Sequence, residues 1–248
     1  MPTRRLLEAA LDLVLMGECA LCAAHLQGRA ALCAPCAVEV DSQTFPAAQR
    51  TQPDPAPSGF PACATAASGD AVRGLVTAWK DHGRTDLQPI LTALLAQALS
   101  GVVDEADLTR ARWRDGAILL VPAPISALAR RRRGRAPMLD LARTVLTEDF
   151  ALVDALVLTR VVADQSRLGW RERARNVGGS MGVRTAAVER ICGADCVVVD
   201  DIVTTGATLT EASRALLEAG ARTVQAATCI ASVRKRLPES VRPTSVRP

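Results

Sequence analysis

The sequence predicts an α/β fold, and three observations predict it. The runs Ile118–Val121 and Val197–Val199 are aliphatic with no polar alternation, as in strands buried on both faces of a sheet. Elsewhere apolar residues recur at three- and four-residue spacing, as in Val72, Leu75, Val76 and Trp79, the pattern of a helix with one buried face. The third is Cys196–Leu209, where an apolar run ends in Asp200-Asp201, passes through a hydroxyl-rich turn and enters a helical pattern.

That third stretch carries the chemistry. Thr204, Thr205, Gly206, Ala207 and Thr208 occupy the loop into a helix, where free backbone N–H groups and the helix dipole favour an anion. Gly206 permits a positive φ and close approach of a phosphate to the backbone. The hydroxyls of Thr204, Thr205 and Thr208 are further donors. Asp200 and Asp201 stand one step earlier, so a ligand with a phosphate at one end and sugar hydroxyls at the other satisfies both halves. Two other readings exist. One is a Walker B strand, but the chain has no G-x-x-x-x-G-K-[ST] partner. The other is a buried strand followed by a Thr-rich helix cap with no ligand.

Toward the N-terminus, Leu7, Leu11, Val14 and Leu15 share one face of a short amphipathic helix. Glu8 and Asp12 interrupt its apolar run and no A-x-A site follows, which argues against an export signal. The expectation is a cytoplasmic protein with reduced cysteines. No stretch reaches the roughly 18 apolar residues of a membrane span, so no membrane insertion is expected. The net charge of +4 is too mild to indicate nucleic acid by itself. With no Tyr and few other aromatics, the core falls to Ala, Val and Leu.

Cys19-Ala20-Leu21-Cys22 and, ten residues on, Cys33-Ala34-Pro35-Cys36 are two C-x-x-C knuckles. Their paired spacing favours four thiolates around a structural Zn²⁺, holding together a segment too small to bury a core. A redox pair at Cys33/Cys36, or cysteines serving as small hydrophobes, are the alternatives. His25, between the knuckles, reads as a loop residue. From Asp41 to Pro61 the composition turns to Gln, Ser, Ala and five prolines, read as a linker or strap. The division is thus 1–40 for the helix and Cys₄ segment, 41–69 for the strap, 70–232 for the α/β domain and 233–248 for a basic, Pro-rich disordered tail.

Within the α/β domain, helices are expected over Asp70–Lys80, about Asp86–Ala98, Met138–Thr147 and Ala207–Ala219. Strands are expected at Ile118–Val121, Leu156–Leu158, around Val197–Val199 and at Thr223–Ala231. Lys80 is either a cation for a pyrophosphate or an ordinary snorkelling lysine. The basic run Arg130–Arg135, with Arg131 and Arg133, follows a strand's carboxyl end, where open α/β sheets bind ligands. Thr159–Val177, with Arg167 and Arg173, is arginine-rich and weakly periodic. It reads as a loop that closes over a polyanion or as an exposed helix.

The Asp200-Asp201…Thr204–Thr208 stretch resembles the phosphoribosyl diphosphate (PRPP) signature of the type I phosphoribosyltransferases. In that family the acidic pair holds the ribose hydroxyls and the threonine loop holds the 5′-phosphate. The order of the knuckles, Trp79-Lys80, Val121-Pro122-Ala123-Pro124, Arg131–Gly134 and Gln165…Leu168…Arg173…Asn176-Val177 resembles the ComF/GntX-like branch. This resemblance implies a doubly wound, mainly parallel sheet, PRPP carried with Mg²⁺, and phosphoribosyl transfer with pyrophosphate release. In that picture Lys80, Arg131, Arg133, Arg167 and Arg173 meet the pyrophosphate. The chain departs from the branch at Arg135-Ala136-Pro137-Met138. Thr204 stands where hypoxanthine-type enzymes carry an acidic residue, and the last strand ends without an aromatic. Both argue against a purine acceptor. The resemblance also admits a non-catalytic PRPP or nucleotide sensor, or a competence accessory acting with DNA-uptake or recombination proteins. Direct nucleic-acid binding is disfavoured, because Arg29 is the only Lys or Arg between the knuckles and no aromatic lies there.

Overall fold

The computed structural model of the protein describes residues 17–28, 30–51, 62–105, 117–160 and 178–232. The expected N-terminal helix, the Gln165–Val177 stretch with Arg167 and Arg173, and the basic tail lie outside the described residues. From residue 17 a short hairpin, β1 (Gly17–Glu18) and β2 (His25–Leu26), leads into α1 (Ala34–Ser42). Next come β3 (Thr44–Thr51), β4 (Ala62–Ala67), α2 (Asp70–Asp81) and α3 (Gln88–Glu105). They are followed by β5 (Ile118–Pro122), α4 (Ala127–Arg133), α5 (Pro137–Thr144) and β6 (Phe150–Leu152). The described chain finishes with β7 (Leu156–Leu158), β8 (Met181–Val183), α6 (Val188–Ile191), β9 (Asp195–Val203), α7 (Ala207–Glu218) and β10 (Thr223–Ala231).

Six strands form one sheet in the order β3-β4-β10-β9-β5-β6, and only β3 is antiparallel to its neighbour. The aliphatic run of β9 sits inside it, Val198 pairing with Ala226 of β10 and with Val121 of β5. Successive side chains of a strand point to opposite faces. Val197 and Val199 accordingly join the core built with Leu75 of α2 and Leu91 and Leu95 of α3. Cys196 and Val198 join the opposite core, with Leu209, Ala212 and Leu216 of α7. Helices therefore cover both faces, which is why β9 has no polar alternation.

The chain leaves β5 toward α5, whose Met138 and Leu141 belong to the first core, and leaves β9 toward α7 in the second. Neighbouring parallel strands whose connections depart to opposite faces leave a crevice at their carboxyl ends, the topological switch point of an open α/β sheet. The expected α/β class with a mainly parallel, doubly wound sheet is the architecture found.

Several local expectations need correction. Residues 41–69 are not a strap throughout: Asp41 and Ser42 end α1, Thr44–Thr51 is an edge strand and Ala62–Ala67 a buried one. Pro46 is tolerated because β3 is at the sheet edge and its register slips between Thr44 and Gln49. The strand expected at Leu156–Leu158 is present, and it pairs only with β8, in a separate two-stranded sheet. Helix α2 needs help at its start, since its cap residue Gly69 offers no side chain. The Gln43 side chain supplies the acceptor, taking the Val72 N–H at 3.2 Å. At its other end Gly83 takes φ +70° while the Arg84 N–H closes on the Ala78 carbonyl.

Candidate functional site

The carboxyl ends of β5 and β9 border a cavity of about 570 Å³. Asp200, Asp201, Thr204 and Thr208 line one part of it, and Lys80, Arg130 and Arg133 are also in its wall. Both carboxylates are buried, Asp201 at 2% exposure. Asp200 Oδ1 accepts the Asp201 N–H at 2.9 Å, and Asp201 Oδ1 accepts the Ile202 N–H at 2.9 Å. The second Asp201 oxygen is 2.6 Å from Lys80 Nζ, from the last turn of α2. The lysine flagged by the sequence thus meets the acidic pair directly across 121 residues of chain.

One cation paired with Asp201, next to a second buried carboxylate, splits their titration. Burial acts upward on both. At Asp201 the Lys80 ammonium outweighs it and holds the group below the ordinary carboxylate range. Asp200, with burial and the Asp201 charge against it, is pushed up to about 8. Burial also works against the Lys80 charge, but Asp201 and then Asp200 raise its pKa on balance. The site therefore has two negative positions of which one readily holds a proton.

After β9 the backbone turns at Gly206, φ +72°, the residue before α7. The Thr205 hydroxyl accepts the Ala207 N–H at 3.4 Å, and Thr204 and Thr208 line the cavity. Opposite charge to an anion is close at hand in the Arg-rich segment. Ser126 caps α4 by accepting the Ala129 N–H at 3.1 Å, and Arg130 and Arg133, three residues apart, share the face that lines the cavity. Arg131 is exposed and is not among the lining residues. Arg133 also holds Asp81, its Nε and Nη2 donating to Asp81 Oδ1 at 2.9 and 2.7 Å. Arg135 donates to the Trp79 carbonyl at 3.0 Å and stacks 4.8 Å over the Trp79 ring. Three consecutive residues at the end of α2 are thereby tied to the site and its Arg-rich wall.

Sequence reasoning passed over several groups. Arg130 belongs to the expected basic run, and its i, i+3 spacing to Arg133 is the signal that singles it out over Arg131. Asp154 and Arg184 line the far part of the cavity and lie 3.8 Å apart. Buried Glu211 of α7 accepts the Met181 N–H at 3.0 Å and pairs with Arg214 at 2.6 Å, fixing β8 to α7. Glu211 and Arg214 are an ordinary i, i+3 pair, but nothing in the local sequence marks Asp154 against Arg184 or Glu211 against Met181.

The four knuckle cysteines come together, their sulfur atoms all within 4.8 Å of one another, with Cys22 and Cys33 sulfurs 3.6 Å apart. A tetrahedral Zn²⁺ with Zn–S bonds of about 2.3 Å places sulfurs about 3.8 Å apart, so this set fits that ion. Cys19 and Cys22 come from the β1–β2 hairpin; Cys33 caps α1 and Cys36 lies in its first turn. Burial opposes the Cys19 thiolate, but the backbone N–H groups of Cys33, Cys22 and Leu21 outweigh it and bring the thiol down to about 6. Cys36 is raised by the neighbouring Cys33 and Cys22 sulfurs.

Residues 151–247 match the family model described as the phosphoribosyl transferase domain. That stretch contains the acidic pair and the threonine loop, and excludes the Cys₄ segment and Lys80. No curated protein matches the chain. Among solved structures, it is similar over 62% of its length to a glutamic acid mutant from a study of an invariant aspartic acid in HPRTs, at 13% identity, 72% coverage of that chain and TM-score 0.35. It is similar to the hypoxanthine phosphoribosyl transferase of Trypanosoma cruzi at 13% identity, covering 62% of this chain and 69% of the other, TM-score 0.36. The architecture is a mainly parallel, doubly wound α/β fold carrying an N-terminal four-cysteine cluster, and its residues 151–247 are those that match the phosphoribosyl transferase domain. Among the described residues no helix is long and apolar enough to cross a membrane.

Proposed function

We propose that the cavity binds PRPP together with Mg²⁺ and supports transfer of its phosphoribosyl group. The observation that carries this reading is the convergence, at one switch-point crevice, of a buried carboxylate pair, a threonine loop opening a helix, and three cationic side chains. A sugar with a phosphate on one side and a diphosphate on the other presents the matching sequence of charges. Asp200 and Asp201 accept the ribose hydroxyls; the Gly206 turn and Thr204–Thr208 hold the 5′-phosphate. Lys80, Arg130 and Arg133 face the diphosphate. Mg²⁺ suits this ligand because it prefers phosphate oxygens, and when bound it neutralises charge on the departing diphosphate.

The reaction is displacement at the ribose C1: a bond from the acceptor forms, the bond to the diphosphate oxygen breaks, and its electron pair leaves with pyrophosphate. Positive charge develops on the ring as it leaves, so the residues' work is to hold the ribose, favour that charge through ionised Asp201, and receive the leaving group's charge. Among the described residues the remaining wall includes Ile125, Leu156 and Val157 and no aromatic, which supports an acceptor other than a stacked purine. Zn²⁺ on Cys19, Cys22, Cys33 and Cys36 has four protein ligands and a structural part. Calorimetric titration with PRPP and Mg²⁺, followed by pyrophosphate release with a panel of amines and bases, tests both halves. Binding without release from any acceptor leaves a PRPP sensor; no binding by the parent, or binding that Asp201→Ala leaves unchanged, refutes the site.

A further inference from the structure

The Cys₄ segment and the cavity meet through one helix. Helix α2 carries Lys80 in its last turn, and Lys80 is the cation that reaches Asp201. The same helix is gripped at three levels by the N-terminal segment. At its start, Gln43, just past α1, accepts the Val72 N–H at 3.2 Å, and a Cβ placed on Gly69 would run into that Gln43 amide. At mid-helix, Leu21, between Cys19 and Cys22, packs so closely that a Cβ placed on Gly74 would come within 2.8 Å of Leu21 Cδ2. Past its end, Arg84 donates to the carbonyl of Ala31, two residues before Cys33, at 3.4 Å, while Asp86 holds the guanidinium at 2.7 Å. Leu21 and Leu32 pack onto the core that contains Leu75 and Trp79.

A segment needed only to cover the core requires apolar contact; it does not require a capping side chain, a glycine-sized approach and a carbonyl contact spaced along one helix. We infer that Leu21 and Gln43 are positioning residues for the proposed PRPP site: the metal-bound knuckle sets the placement of α2, and α2 sets where Lys80 stands. The inference rests on the reading of the cavity given above. Side-chain placement decides such sites steeply, since a shift of about 1 Å can change catalytic efficiency by up to about 10²-fold.

The test uses the full chain loaded with Zn²⁺. In Leu21→Ala, zinc content stays at the parent level, while the dissociation constant for PRPP with Mg²⁺ rises about tenfold; Leu21→Met restores it. In the Lys80→Met background, Leu21→Ala changes the affinity less than about twofold, because its effect runs through the lysine. Gln43→Ala follows the same pattern and serves where Leu21→Ala does not fold. A ligand-free arm is the stability coupling between Lys80 and Asp201, from Lys80→Met, Asp201→Asn and the double variant, which shrinks in Leu21→Ala. The inference is overturned by an unchanged Lys80–Asp201 coupling in Leu21→Ala. It is equally overturned if PRPP loses the same factor in both lysine backgrounds. If the parent binds no PRPP but Leu21→Ala still shrinks the Lys80–Asp201 coupling, the ligand is refuted and the mechanical link stands.

Discussion

Replacing Lys80 with Met tests the electrostatics of the site without any ligand. The change keeps most of the side chain's apolar length and removes its charge, leaving Asp201, 2% exposed, as a buried carboxylate whose 2.6 Å partner is gone. Breaking a buried ion pair from one side costs about 3–5 kcal/mol. The lysine side chain keeps 27% of its surface exposed, so the lower end, about 3 kcal/mol, is the appropriate figure. For a chain of this size that is a fall in Tm of about 6–12 °C. The pH dependence identifies the cause. In the parent, Asp201 lies below its unfolded value, so it contributes stability at pH above that value and loses it as pH falls. In Lys80→Met burial is opposed only by the Asp200 contact and the Ile202 N–H, the folded carboxyl rises above its unfolded value, and stability drops as pH increases. The deficit relative to the parent is then small near pH 4 and largest near pH 8. Lys80→Met/Asp201→Asn recovers most of it. Denaturant titrations of the four proteins at several pH values measure this. A Lys80→Met deficit equal at pH 5 and pH 8, or one that Asp201→Asn does not relieve, refutes the reasoning.

Other consequences concern ligand, metal and backbone. Because Asp200 is raised to about 8 and must be ionised to accept ribose hydroxyls, PRPP binding expels its proton; affinity should climb by up to about tenfold per pH unit below 8 and level off above it. Calorimetry in buffers of different ionisation enthalpy counts that proton, and Asp200→Asn abolishes its release. Gly206→Ala places a side chain at φ +72° and should cost about 1–2 kcal/mol while weakening ribose 5-phosphate binding more than pyrophosphate binding. Metal analysis should find one Zn²⁺ per chain. Cys22→Ser or a strong chelator removes it and unfolds the hairpin segment, given that such ions contribute on the order of 10 kcal/mol; an unchanged proteolysis pattern around residues 17–36 would count against the Cys₄ site.

Much of the frame was legible because strong local patterns coincide with tertiary need. Val197–Val199 and Ile118–Val121 are aliphatic on both faces because helices cover both faces of β9 and β5. The amphipathic period of Asp70–Lys80 and the signature Asp200–Thr208 likewise state their own geometry. What could not be read depends on partners distant in sequence. Thr44–Thr51 contains Pro46 and owes its strand form to pairing with β4, and the alanine-rich β4 is a strand because β10 and β3 flank it. Lys80 was a candidate cation with two readings until the fold put Asp201 against it. In the Arg-rich run, position on α4 separates Arg130 and Arg133 from exposed Arg131, a distinction that needs the start of the helix at Ser126. Capping of α2 by Gln43 crosses from one segment to another and leaves no mark in either.

The measurement closest to the central claim is calorimetric titration of the zinc-loaded chain with PRPP and Mg²⁺, in parallel with Asp201→Asn. One PRPP is expected to bind per chain, with heat that depends on the ionisation of the buffer and a loss of at least about tenfold in affinity when the Asp201 charge is removed, by the usual strength of charge-assisted hydrogen bonds. Saturable binding that Asp201→Asn leaves untouched would place the ligand elsewhere on the molecule, and the absence of any binding by the parent would contradict the account outright.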